Sequence, residues 1–323
     1  MKKRVLTGIQ PSGKLHLGNY FGTIKRMVQY QRSSDLFLFV ANLHSMTTLT
    51  DKEALKKLTL DAAMDMLALG INPSKTHFWV QSDVPEVAEL SWILSCITPM
   101  GLMERATSYK DKLAKGIAPN LGLFNYPVLQ TADILMFQAD VVPVGKDQKQ
   151  HLEMGRDIAI KFNNTFGNVF TVPEADIPDE VAVIPGTDGQ KMSKSYGNTI
   201  PIFAEDAEWK KAVMGIVTDS KGVADKKDPE QCTVFALYKL MATPAEQAAL
   251  AKRYRQGGMG YGDAKKLLLE KIMDTFSLLR EKRRKLAENP KKVELILSKG
   301  ANKARKIALQ TMEKVRKATG LKY

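Results

Sequence analysis

The sequence predicts an α/β protein: a parallel sheet with helices on both faces, followed by a region that is helical throughout. Three observations carry this. Short apolar runs alternate with amphipathic stretches through the first half of the chain. A turn-rich passage, Thr171–Gln190, then breaks the alternation with Pro173, Pro178, Pro185, Gly186 and Gly189. From about residue 206 onward nearly every segment has helical periodicity.

The predicted strands are Arg4–Leu6, Leu36–Val40, His77–Val80 and Val141–Val144. A helix is expected over Tyr20–Gln31. Ala54–Leu69 has apolar residues at three- and four-residue spacing, follows Thr50 and Glu53 in capping-box register, and stops at Gly70. Pro85 and Glu86 open a helix through Cys96, which Pro99-Met100-Gly101 closes. Residues 105–123, with Lys110, Lys112 and Lys115 among Gly116, Pro119, Asn120 and Gly122, read as a mobile loop. Asn125–Phe137 resumes as a helix starting near Pro127. His77 and Trp79 read as core residues of their strand. The change of character near Phe203 divides the chain into an α/β domain of residues 1–203, a helical domain of 204–290, and a basic C-terminal helix, 291–323, expected to pack back on the first domain.

Composition bounds the possibilities. A hydrophobic fraction of 44% beside 26% charged residues describes a folded chain rather than a disordered one. Cys96 and Cys232 lie far apart, so neither a disulfide framework nor a zinc or iron–sulfur site is expected, and a reducing, cytoplasmic compartment fits. After Met1-Lys2-Lys3-Arg4 only Val5-Leu6 is apolar, too little for a signal-peptide core, and no run reaches the roughly 18 apolar residues of a membrane span. The net charge of +13 is concentrated at the end: residues 280–323 carry 15 Lys or Arg against 4 Glu. Such a tail suits a polyanionic partner such as nucleic acid, or equally a solvated basic face.

Four segments carry chemistry. Gly8-Ile9-Gln10-Pro11-Ser12-Gly13-Lys14-Leu15-His16-Leu17-Gly18-Asn19 joins a strand to a helix, so free backbone N–H groups and a helix N-terminus converge on an anion site. His16 stands at that junction, and Gly18 lets a planar base approach the backbone. Lys191-Met192-Ser193-Lys194-Ser195, between Gly189 and Gly197, is a cationic loop able to fold over a polyphosphate. Each alone also fits an ordinary connection; in this order, at the two ends of an α/β domain, they point to ATP chemistry. In Tyr126-Pro127-Val128-Leu129-Gln130-Thr131-Ala132-Asp133-Ile134, helical spacing puts Tyr126, Gln130 and Asp133 on one face. A carboxylate among apolar neighbours needs a donor. In Val142-Pro143-Val144-Gly145-Lys146-Asp147-Gln148, Gly145 permits close ligand approach and Asp147 suits ribose hydroxyls.

The chain resembles the class I aminoacyl-tRNA synthetases, and within them the bacterial tryptophan enzymes, over essentially its whole length. His16-Leu17-Gly18-Asn19 matches the first class motif, with Asn where many members have a second His, and Lys191–Ser195 matches the second at every position. The resemblance implies a Rossmann-type catalytic domain, a helical anticodon-binding domain, a homodimer, and tryptophan, ATP with Mg²⁺, and tRNA(Trp) as partners. It implies transition-state stabilisation by His16, Lys191 and Lys194, with Lys110 a further candidate. ATP is expected on Gln10, Pro11, Ser12, His16, Gly18, Asn19, Gly145, Lys146, Asp147, Ile184 and Lys191, Met192, Ser193, Lys194, Ser195. L-Tryptophan is expected among Leu6, Gly8, Gln10, His44, Tyr126, Gln130, Asp133, Ile134, Val142, Val144 and Gln148, with Asp133 accepting the indole N–H. Leu6 and Gln130 depart from the Phe and Met common in the family. A tyrosyl-tRNA synthetase is the nearest alternative, but it would be expected to have Tyr in place of Leu6 and Asp in place of Gln10. A small-molecule nucleotidyltransferase would lack the helical domain and basic tail. An inactive synthetase-derived RNA-binding protein would be expected to have decayed motifs.

Overall fold

A computed structural model describes residues 2–106, 120–145, 148–177 and 183–323. Strands β1 (Arg4–Ile9), β2 (Asp35–Val40), β3 (Thr76–Val80), β4 (Val141–Pro143) and β5 (Glu174–Asp176) form one parallel sheet in the order β3-β2-β1-β4-β5. Val5, Leu36, Leu38, Val40 and Phe78 point into one core, while Leu6, Phe37, Phe39 and Trp79 point into the other. Burial on both faces is why the central strands read as unbroken apolar runs. The chain reverses direction across the sheet between β1 and β4, which opens a crevice at the carboxyl ends of the strands.

The strand limits differ from expectation: β1 extends to Ile9, β2 and β3 each begin one residue earlier, at Asp35 and Thr76, and β4 stops at Pro143. β5 lies within the passage read as turns. Its residues, Glu174-Ala175-Asp176, are largely exposed and pair with Val141–Pro143 at the sheet edge, so hydrophobic patterning gives no sign of it. Trp79 is buried, but His77 is only half-buried, stacked on Phe37 at 4.2 Å with Nε2 3.3 Å from Asp35.

The helices show parallel corrections. The predicted Tyr20–Gln31 helix is α1 (Leu17–Asn19), a π-helical turn over Tyr20–Ile24, and α2 (Lys25–Ser33). After β2 comes the one-turn α3 (Asn42–Ser45). Helix α4 (Lys52–Ala68) is capped by Asp51 rather than Thr50, its carboxylate accepting from the Ala54 N–H at 2.7 Å. Gly70 follows at φ +114°, where a side chain is strained. Helix α5 is Glu86–Ile97; Pro99 starts the short α6 (Met100–Glu104) instead of ending the helical region. Helix α7 (Leu121–Met136) begins well before Pro127, because Asn120 caps the Leu123 N–H at 2.7 Å and Leu123 is buried. Residues 120–123 of the expected loop are therefore cap and helix; the remainder after Ala106 lies outside the described residues. Helix α8 is Lys149–Phe166.

Beyond Phe203 run α9 (Asp206–Met214), α10 (Thr233–Lys239), α11 (Pro244–Gln256), α12 (Tyr261–Glu288) and α13 (Pro290–Ala318). Their core is continuous with one sheet face through Trp209, Phe235, Ile272 and Phe276. The last helix returns to the sheet and crosses β3 at Gly300, where a Cβ would stand 1.7 Å from the Phe78 carbonyl oxygen. Arginines fix these helices: Arg283 reaches Asp61 and Asp65 at 2.6 Å, Arg280 reaches Asp206 at 2.7 Å, and Arg305 reaches Glu86 and Arg316 reaches Glu89 at 2.7 Å. By contrast Lys282, Lys291, Lys292, Lys299, Lys303, Lys306 and Lys314 are exposed and form no ion pair among the described residues. No helix among the described residues is long and apolar enough to cross a membrane.

Candidate active site

The turn after β1 is held by its own motif. Asn19 Oδ1 accepts the His16 N–H at 3.1 Å, and the backbone around His16 and Leu17 pairs with residues 200–202 through Leu17 N–H to Ile200 O and Ile202 N–H to Leu15 O, both 3.0 Å. His16 is 7% exposed and its Nδ1 is buried without a partner among the described residues. Burial, reinforced by the Lys194 charge, pushes its pKa down to about 4, so the ring is neutral at pH 7. A neutral imidazole set behind a helix N-terminus can donate one N–H to a phosphate oxygen without burying a second charge. Gly18 is tightly enclosed: a Cβ there would lie 3.0 Å from His16 Nδ1 and 3.3 Å from Met192 Cβ, so both neighbours would have to give way.

The lysine loop closes against this turn. The Gly18 N–H points at Met192 Sδ at 3.3 Å, and Lys194 Nζ donates to the Ser12 carbonyl at 2.8 Å. Burial lowers the Lys194 pKa, and Asp65 on α4 opposes the shift. Met192 N–H also bonds the Ile184 carbonyl at 2.8 Å, which brings Ile184 into the loop. Asn198, just beyond the motif, organises the whole turn: its Oδ1 accepts the Ser193 N–H at 2.8 Å while its Nδ2 donates to Asp188 at 2.7 Å and to the Lys191 carbonyl at 3.1 Å. The Ser195 N–H bonds Ser193 Oγ at 3.3 Å. Lys191 and Ser195 project to solvent.

Asp133 is 2% exposed. Gln81, in the turn after β3, donates Nε2 to both of its oxygens at 3.0 and 2.8 Å, and His44 of α3 reaches Oδ2 with Nε2 at 2.9 Å. Desolvation raises the Asp133 pKa while His44 and then Gln81 oppose it. The predicted Tyr126 and Gln148 are joined through buried His151, with Tyr126 Oη 3.0 Å from Nε2 and Gln148 Oε1 3.0 Å from Nδ1.

Most of the predicted residues converge at the carboxyl ends of the strands. Gly8 is near the end of β1, and the exposed Gln10 and Ser12, with buried Pro11, follow it; Val144 and Gly145 follow β4. Leu6, Val142 and Ile134 are buried in the core on the same side of the sheet, with Val144 packed at its margin and Gln130 half-buried on α7. Lys110, Lys146 and Asp147 lie outside the described residues. The sequence reading missed Gln81, whose only signal is its place directly after a strand, and left His151 and Asn198 without roles.

A parallel sheet whose first turn is clasped by a Lys-Met-Ser-Lys-Ser loop fits the resemblance to the class I synthetases. The family of tRNA synthetases class I (W and Y) matches residues 1–277, and the chain belongs to it. It is 55% identical to a tryptophan–tRNA ligase of Campylobacter jejuni, over 98% of this chain and 100% of that protein. It is 51% identical to a tryptophan–tRNA ligase of Fusobacterium nucleatum, over 99% and 98% of the two chains. A crystal structure of the Campylobacter jejuni tryptophanyl-tRNA synthetase complexed with ADP and tryptophan superposes with a TM-score of 0.95 at 55% identity, covering 98% of this chain and 99% of that one.

Proposed function

We propose that the protein is a tryptophan–tRNA ligase that activates L-tryptophan with ATP and transfers it to tRNA(Trp). The observation that carries the reading is the pairing of a buried, donor-held carboxylate, Asp133, with a phosphate turn clasped by Lys194 at the same edge of the sheet. In the first step the tryptophan carboxylate oxygen bonds to the α-phosphorus while the bond to the bridging oxygen breaks, which yields tryptophanyl-adenylate and pyrophosphate. No protein nucleophile is needed; Lys191, Lys194 and neutral His16 meet the charge gathering on the phosphates. Asp133 accepts the indole N–H, and the Tyr126–His151–Gln148 chain supports the polar end of the amino acid. In the second step a ribose hydroxyl of the tRNA attacks the acyl carbon and AMP leaves.

Mg²⁺ enters this reading as the companion of the ATP phosphates. The unpaired lysines of α12 and α13 supply the salt-sensitive attraction for tRNA. Pairing as a homodimer, which the family resemblance implies, is checked by light scattering of the purified protein. ATP–pyrophosphate exchange across the twenty amino acids tests the function. Exchange with tryptophan is expected; exchange with tyrosine alone overturns the substrate, and none with any amino acid sinks the enzyme reading.

A further inference from the structure

Gln81 is 1% exposed and uses its whole side-chain amide. Its Oε1 accepts the Leu43 and His44 N–H groups at 3.0 and 3.4 Å, which fixes α3 and with it the His44 ring. Those bonds require an oxygen, so the amide has one orientation only, with Nε2 facing Asp133. Asn42 and Ser82 lock the same junction from the other side, Asn42 Nδ2 donating to Ser82 Oγ at 2.8 Å and Ser82 N–H to Asn42 Oδ1 at 3.1 Å.

The consequence falls on Asp133. A carboxylate offers about four acceptor sites. Among the described residues Oδ2 takes a bond from Gln81 and one from His44, whereas Oδ1 takes only one, from Gln81. Gln81 Nε2 can only donate, so both oxygens are held as acceptors, and the remaining place is on Oδ1. We propose that Gln81 is a positioning residue for side-chain specificity: by donating to both oxygens of Asp133 and seating His44 beside it, Gln81 makes the pocket select an amino acid that brings an N–H donor. The inference rests on the tryptophan reading above and assigns its selectivity to a residue outside the motifs.

The test compares kcat/KM in pyrophosphate exchange for tryptophan and for its isostere 3-(3-benzothienyl)alanine, in which sulfur replaces the N–H. Gln81→Glu keeps an acceptor for Leu43 and His44 but sets a second carboxylate against Asp133; Gln81→Met keeps length without any donor. In both, Asp133 loses the neutral amide donor that holds its two oxygens as acceptors. The preference for tryptophan over the sulfur analogue is expected to fall about tenfold or more, the scale of one charge-assisted hydrogen bond, while the KM for ATP stays at its wild-type value. Equal losses on both substrates, leaving the preference intact, would mean that Gln81 only supports the fold, and would overturn the proposal. Because Met buries no charge, Gln81→Met keeps the ratio readable if Gln81→Glu fails to fold. A wild-type protein that activates no tryptophan would sink the underlying reading instead, and is recognised before any substitution is made.

Discussion

Asp65→Asn is expected to change the pH dependence of stability, in the direction opposite to the one its ion pair suggests. Asp65 sits on α4 with Arg283 Nε 2.6 Å away, beside a cavity of about 660 Å³ enclosed between the phosphate turn, α4 and α12. A contact that short argues for a depressed pKa. Burial nevertheless dominates, and with a lesser push from Asp61 it carries the carboxyl from 3.8 to about 6 against the opposing effects of Arg283 and Lys194. The folded protein therefore holds this proton more tightly than the unfolded chain does. The resulting stabilisation is complete below pH 3.8 and is lost as pH rises through about 6. It amounts to about 3 kcal/mol in full, and about 2 kcal/mol of it disappears between roughly pH 4.5 and 7.5. Urea unfolding of the wild type and of Asp65→Asn at half-unit pH steps isolates the contribution, because every other titrating group is common to both proteins. The wild-type advantage should shrink steadily across that range. An advantage that is flat, or that grows with pH, would refute the reasoning and give the pair with Arg283 the upper hand.

Three further substitutions and one pH profile follow from the geometry. Gly300→Ala gains about 1 kcal/mol of helix propensity but drives a Cβ into the Phe78 carbonyl, so chemical denaturation should show a net loss of about 2 kcal/mol or more. Gly18→Ala crowds the His16 ring and Met192, and should raise the KM for ATP about 10- to 100-fold in pyrophosphate exchange with little change in the KM for tryptophan. Asn198→Ala removes the bonds to Ser193, Asp188 and Lys191 and should lower kcat for adenylate formation about tenfold, with a smaller effect on amino-acid binding measured by calorimetry. Since His16 titrates near 4, kcat/KM for ATP should show no inflection near 6.5; an inflection there that vanishes in His16→Gln would contradict a neutral imidazole.

The fold was legible in the sequence where burial is two-sided and elements are long. β2 carries a continuous apolar run over 36–40 and β3 a shorter one over 78–80, and the α4 pattern ends on a glycine that the structure places at positive φ. It was not legible where the signal is backbone pairing alone, as in exposed β5, or where a cap outweighs a proline, as in α7, which starts at Asn120 rather than near Pro127. The basic tail divides in a way composition cannot show. Arg280, Arg283, Arg305 and Arg316 are planar forks matched to carboxylates and hold the helices to the rest of the molecule, while the flexible, strongly hydrated lysines stay outside.

The candidate site follows a similar rule. Sequence spacing set Tyr126, Gln130 and Asp133 on one face of a helix, and that much needs only local geometry. The partners of Asp133 are far away in sequence: His44 stands 89 residues before it and Gln81 52 residues before it. What unites them is that a parallel sheet ends all its strands at one edge, so the first residues after β2 and β3 share an edge with those after β1 and β4. Gln81 immediately follows Val80, the last residue of β3. Any polar residue in that position is therefore a candidate ligand of the site before its contacts are known. A buried carboxylate facing the same edge makes the candidacy sharper, because it requires a donor within reach. On the proposed reading, the motif residues carry the nucleotide chemistry and the strand ends determine which side chains face the amino acid.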